Sequence, residues 1–111
     1  MIYREFGNTG VKISALGFGA MRLPMITVAS KRVVDEDEAV RILRKAYDLG
    51  VNYFDTAYMY CDGHSESVVG KALKDIRGKV NISTKFPFWG SGDRSVYRKT
   101  LEEQLERLDT D

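Results

Sequence analysis

The chain has 111 residues, 43% of them hydrophobic, with 17 Lys and Arg against 16 Asp and Glu and a net charge of +1. That length holds a single domain, and the near-neutral balance supplies no basic face for nucleic acid. The lone cysteine, Cys61, excludes an internal disulfide, no apolar run approaches the ~20 residues needed to cross a bilayer, and Met1–Phe6 lacks the apolar stretch of a signal peptide, so a cytoplasmic location is expected.

Ile2–Phe6 and Val11–Ser14 alternate apolar and polar residues around Gly7-Asn8-Thr9-Gly10, which predicts a β-hairpin. Ala15–Met21 reads as a short buried strand carrying Gly17 and Gly19. Glycines there mark either a close approach by a ligand or tight packing at a barrel axis. Arg22–Val34 contains Pro24 and shows no period, so it is expected to be a long loop. Asp35–Leu49 predicts a helix with Ala39, Ile42, Leu43, Ala46 and Tyr47 on one face and Gly50 as its stop. The acidic run Asp35–Glu38 suits the positive end of that helix.

Val51–Thr56 then predicts a strand, Cys61–Ser65 a polar loop, and Ser65 to Ile76 a second helix with Val69, Ala72, Leu73 and Ile76 inward. Val80–Lys85 is the next strand, followed by a Pro- and Gly-containing loop over Phe86–Asp93. A third helix is expected from Arg94 to Leu108, with Tyr97, Leu101, Leu105 and Leu108 on its inner face. Strand–helix alternation implies an α/β fold with a parallel sheet and right-handed crossovers. The helices would cover one face of a closed barrel or both faces of a doubly wound sheet. Three strands cannot close a barrel of eight, so in the barrel reading 1–111 is a partial (β/α)8 TIM barrel domain, a hairpin and about three βα units, truncated before the fourth barrel strand. Open strand edges in such a piece favour self-association.

In parallel α/β folds, functional residues gather at the carboxyl ends of strands. Met21 and Arg22, Asp55 with Tyr60, and Lys85 all lie at or just after such ends. A phenol titrates near pH 10 when unperturbed, and a neighbouring ammonium favours its ionised form. A carboxylate beside the lysine would keep it charged and oriented. The three groups together can pass a proton to a carbonyl oxygen as hydride reaches the carbon. Cys61, Asp62 and His64 on one short loop lack a fourth ligand for a metal, and no serine hydrolase elbow is present. Trp89, with Phe86 and Phe88, would either line a substrate pocket or pack over the barrel mouth.

Asp55-Thr56-Ala57-x-x-Tyr60, Gly63-x-Ser65-Glu66 with Gly70-Lys71-Ala72-Leu73, and Ser83-Thr84-Lys85 resemble the aldo-keto reductases. Gly7-Asn8-Thr9-Gly10, Ser14–Gly19 and Asp48–Asp55 are similar to the same family, so the resemblance spans essentially the whole chain. It implies an eight-stranded barrel that binds NADPH, with NADH not excluded, and reduces a small-molecule carbonyl. By that resemblance Tyr60 is the proton donor, Lys85 lowers its pKa and Asp55 pairs with Lys85. Ala20, Met21, Arg22 and Asp55 would lie at the nicotinamide and its ribose. The family's catalytic histidine at the end of the fourth strand, and its phosphate-gripping loops, have no counterpart here, and His64 is misplaced to serve as that histidine. The 111-residue chain alone is therefore expected to be inactive. Met1–Pro24 and the long Arg22–Val34 loop look most like bacterial members with an appended ferredoxin-like segment, which would place any iron–sulfur cluster beyond Asp111. A regulatory or interaction subunit that keeps the reductase fold without turnover is the alternative reading.

Overall fold

The computed structural model describes residues 1–87 and 93–111. Its centre is a three-stranded parallel sheet of β3 (Phe18–Gly19), β6 (Tyr53–Asp55) and β7 (Asn81–Ser83), with β6 in the middle. Phe54 sits level with Phe18 on one side and Ile82 on the other, and Asp55 is level with Gly19 and Ser83. The strands are shorter than the sequence suggests. What was expected as one strand over Ala15–Met21 is paired only at Phe18–Gly19 and continues into a 3-10 turn at Ala20–Arg22.

Helix α1 (Glu36–Asp48) connects into β6, α2 (Ser65–Leu73) lies between β6 and β7, and α3 (Arg94–Leu108) follows β7. Asp35 caps α1 by accepting a hydrogen bond from Glu38 N at 3.2 Å, which satisfies one of the helix's orphan amides. Gly50 follows at φ +96°, a left-handed position that ends the helix at little steric cost. Helix α2 ends at Leu73, earlier than expected, and tightens into a 3-10 segment over Lys74–Lys79 with Ile76 outside helical geometry.

Helix α2 packs against both α1 and α3, so the three helices form one layer, as in a barrel wall. Gly70 makes the second of these contacts close: an added Cβ would stand 2.6 Å from the carbonyl carbon of Leu108. Phe54, Leu43, Leu73 and Val69 are fully buried, joined by Ala39, Val51, Val80 and Leu108. Each such large side chain contributes about 1.5–3 kcal/mol on burial. Neighbouring Ile42, Ala46 and Tyr47 are half-buried on the expected face of α1.

Two hairpins flank the sheet. β1 (Tyr3–Glu5) and β2 (Lys12–Ser14) pair as expected, and Asn52 ties them to the sheet by accepting from Ser14 N at 2.7 Å and donating to the Lys12 carbonyl at 2.9 Å. The second hairpin corrects the reading of Arg22–Val34 as a loop: β4 (Met25–Val28) and β5 (Lys31–Val34) pair antiparallel, Met25 opposite Val34. Their β-branched residues suit strands, and Pro24 precedes the first strand, where proline is tolerated. The two-residue turn uses Ala29 (φ 47°) and Ser30 (φ 66°) instead of Asn-Gly. A turn of that geometry normally advertises itself by glycine or asparagine.

The inner line of α3 also differs from expectation. Thr100, Gln104 and Leu108 are buried, Tyr97 and Leu105 are half-buried, and Leu101 is exposed. Gln104 turns inward because it has a buried hydrogen-bond partner in Glu66, which apolar periodicity cannot register. Phe88 and Trp89, expected at a pocket or barrel mouth, lie outside the described residues.

Candidate active site

The carboxyl ends of β3, β6 and β7 converge through side-chain bonds. Thr56, directly after β6, shares a hydrogen bond of 2.8 Å with Ser65 at the start of α2. Ser65 Oγ donates in turn to the Ala20 carbonyl at 2.8 Å. All three residues are buried, so these hydroxyls replace water for groups that would otherwise be orphaned. Asp55 and Lys85, whose strands are neighbours, meet at the same mouth.

Lys85 Nζ lies 2.7 Å from Asp55 Oδ2 and 2.9 Å from the Thr56 carbonyl oxygen. The other carboxylate oxygen of Asp55 accepts from Ser83 Oγ at 2.7 Å. Burial works against the charged carboxylate, but the Lys85 and Ser83 hydrogen bonds outweigh it and hold Asp55 below the ordinary range. For Lys85 burial likewise opposes the charge, and the contacts with Asp55 and Tyr60 outweigh it, raising its pKa. The Lys85 ammonium stands 4.8 Å from the centroid of the Tyr60 ring. The structure thus brings Asp55, Tyr60 and Lys85 together.

Tyr60 is carried by a tight loop. Its carbonyl accepts from Gly63 N and Ser65 N, each at 3.1 Å. Cys61 (φ 52°), Asp62 (φ 56°) and Gly63 (φ 86°) occupy left-handed geometry in succession. For residues other than glycine this conformation costs about 1–2 kcal/mol each, and strain of this kind concentrates at functional sites. Cys61 Sγ lies 3.5 Å from the Met21 carbonyl, fastening the loop to the 3-10 turn. His64 is exposed and precedes α2 without a side-chain capping bond.

Met21, Arg22, Met25, Arg32, Tyr60 and Cys61 are among the residues lining a cleft of about 340 Å³. Ala20 is fully buried and presents its carbonyl to Ser65, whereas Met21 and Arg22 are exposed at the cleft. Among the described residues Arg22 makes no ion pair, leaving a guanidinium at the cleft available to an anionic group. A larger cavity of about 690 Å³ lies between Phe86 and the Tyr97–Leu101–Leu105 flank of α3. Its lining includes none of Asp55, Tyr60 and Lys85, whereas the smaller cleft is lined by Tyr60. No group of three or more metal-binding side chains occurs among the described residues, and no helix there is long and apolar enough to cross a membrane.

The sequence assigns Ser83 and Glu66 to motifs without giving them a role, and gives no sign of Gln104. Ser83 could have been placed beside Asp55 from parallel pairing, once the register was known. Glu66 stands in a recognised motif, but its full burial carries no signal in the sequence.

Residues 15–111 match the model of the Aldo/keto reductase family. The chain is 42% identical to an L-galactose dehydrogenase of Arabidopsis thaliana over 97% of its own length and 34% of that protein. It is 37% identical to a probable voltage-gated potassium channel subunit beta of the same plant, over 100% of this chain and 35% of the relative. The chain therefore spans about a third of the length of these curated relatives. Among solved structures it is similar to an aldo-keto reductase from Bacillus halodurans in its holo form, with a TM-score of 0.78, 32% identity, and coverage of 100% of this chain and 37% of that one. An aldo-keto reductase from Klebsiella pneumoniae in complex with NADPH gives a TM-score of 0.75 at 32% identity, covering 90% of this chain and 33% of that one. The sheet with its single helical layer is the N-terminal part of a (β/α)8 barrel, and the chain belongs to the aldo/keto reductase family.

Proposed function

We propose that the complete protein reduces aldehydes or ketones with NADPH, and that Tyr60 donates the proton. The observation that carries this reading is the meeting of Asp55, Lys85 and Tyr60 at one strand-end mouth, with Lys85 Nζ 2.7 Å from Asp55 and 4.8 Å from the Tyr60 ring centroid. The cleft beside it fits a nicotinamide nucleotide, because it combines thioether surface from Met21 and Met25 with the Arg22 guanidinium. A nicotinamide cofactor, when bound, supplies the hydride. Tyr60 then passes its hydroxyl proton to the carbonyl oxygen, and the Lys85 ammonium stabilises the phenolate left behind. Asp55 keeps Lys85 charged and aimed, and Ser83 fixes Asp55. Ala20, Met21, Arg22 and Asp55 form the cofactor's side of the site.

Replacing Tyr60 by Phe in the complete protein tests this reading. Reduction should fall by about 10²–10⁴-fold, while NADPH binding, followed by its fluorescence, persists. Undiminished reduction would overturn it.

A second reading is favoured by the 37% identity to a probable potassium channel subunit beta. In that case the same site binds NADPH as a regulatory subunit. Cofactor binding by the complete protein with no turnover across a panel of aldehydes and ketones would select it.

A further inference from the structure

Glu66 is a fully buried carboxylate outside the proposed reaction. Taking such a group from water is costly unless its oxygens are met by donors. Its Oε1 accepts from Thr84 Oγ1 at 2.5 Å and from Gln104 Nε2 at 2.7 Å, and Arg107 Nη1 approaches Oε2 at 3.5 Å. These donors come from the end of β7 and from two turns of α3, so the carboxylate joins three elements.

The network ends on the reacting groups' own backbone. Thr84 immediately precedes Lys85, and Gln104 Nε2 also lies 3.1 Å from the Lys85 carbonyl oxygen. The α-carbon of Lys85 is thereby held between a side-chain anchor on one side and a carbonyl anchor on the other. Arg107 extends the grip to the tyrosine loop. Its guanidinium stacks 4.1 Å from the centroid of the Tyr58 ring, and the Tyr58 hydroxyl donates to Glu103 at 3.1 Å. Tyr58 is two residues before Tyr60, in the loop that leaves β6.

We infer that Glu66, Thr84, Gln104 and Arg107 form a positioning network that sets the distance between Lys85 and Tyr60. The inference rests on the reductase reading above. A hydrogen-bonded clamp of this kind fits its task because a displacement of about 1 Å from reacting geometry can cost two orders of magnitude in rate. Purely mechanical cement between α2 and α3 would need neither the bond to the Lys85 carbonyl nor the anchor on Thr84.

The test compares the complete protein with its Thr84→Val and Gln104→Met variants, reading kcat for an aldehyde as a function of pH. Thr84→Val keeps the shape of the side chain and removes the donor. In both variants kcat should fall about tenfold, and the alkaline limb of the kcat profile should move up by about half a pH unit as Lys85 loses its aim. Thr84→Ser, which restores the hydroxyl, should return both to wild-type values. Profiles that stay in place in both variants would overturn the inference. So would a drop in kcat that merely follows the folded fraction measured by circular dichroism. A wild-type protein that reduces no carbonyl overturns the reductase reading together with this inference, whereas an active wild type with unmoved variants overturns the inference alone.

Discussion

Lys85 Nζ bridges Asp55 Oδ2 and the Thr56 carbonyl, so the end of β7 is held against the end of β6 by one ammonium group. Asp55 has a lowered pKa and Lys85 a raised one. The carboxylate's contribution to stability is present above its unfolded pKa of about 3.9 and fades as pH falls through the lower folded value. The lysine's contribution is present below its unfolded pKa of about 10.4 and fades as pH rises through the higher folded value. Urea unfolding of wild type and Asp55→Asn should therefore differ most from about pH 5 to pH 9 and converge on both sides. Both side chains are more than a third exposed, so solvent screening holds the difference to about 1 kcal/mol or less.

The same substitution should act more strongly on chemistry than on folding. Asp55→Asn removes the charge that orients Lys85 while leaving an acceptor for Ser83. We expect reduction by the complete protein to fall by about 10²-fold in steady-state assays. A variant retaining full kcat would remove Asp55 from the proposed mechanism.

Gly70 predicts a packing defect. An added Cβ would meet Leu108 and Arg107 backbone atoms at 2.6 and 2.7 Å, atoms that cannot rotate aside. Gly70→Ala should destabilise the fold by about 1–3 kcal/mol, measured as a lower urea midpoint with an unchanged slope.

Phe54→Ala should be costlier. The ring is fully buried in the middle strand, with its centroid 6.0 Å from that of Phe18. The expected loss is about 3–5 kcal/mol, read from chemical denaturation.

The 111-residue chain by itself should oxidise no NADPH in the presence of aldehydes. It should also associate as concentration rises, since Leu101 is half exposed beside a groove of about 690 Å³. Analytical ultracentrifugation across a concentration series, with an absorbance assay on the same samples, checks both expectations.

Much of this arrangement was legible in the residues themselves. The helices announced themselves through 3.6-residue periodicity, α1 also through its acidic first turn, and Asp55 and Lys85 marked the carboxyl ends of two strands to within two residues. Other features depend on partners distant in sequence. Gln104 looks like an outward polar residue until Glu66 is known to be buried, and the Ala29-Ser30 turn lacks the glycine that usually signals such geometry. Ser83 became a site residue only through the pairing of β6 with β7.

The level row of Gly19, Asp55 and Ser83 across three parallel strands has a bearing on how such a chain can change over time. Side chains alternate between the two faces of a strand, so one residue inserted or deleted within β6 would turn Asp55 to the opposite side. Gains and losses of length should therefore be tolerated at the exposed turn of the β4–β5 hairpin and be lethal to the site between Tyr53 and Asp55. Variation in this part of the molecule should then be channelled towards its loops, while the strands would admit substitution only at constant length.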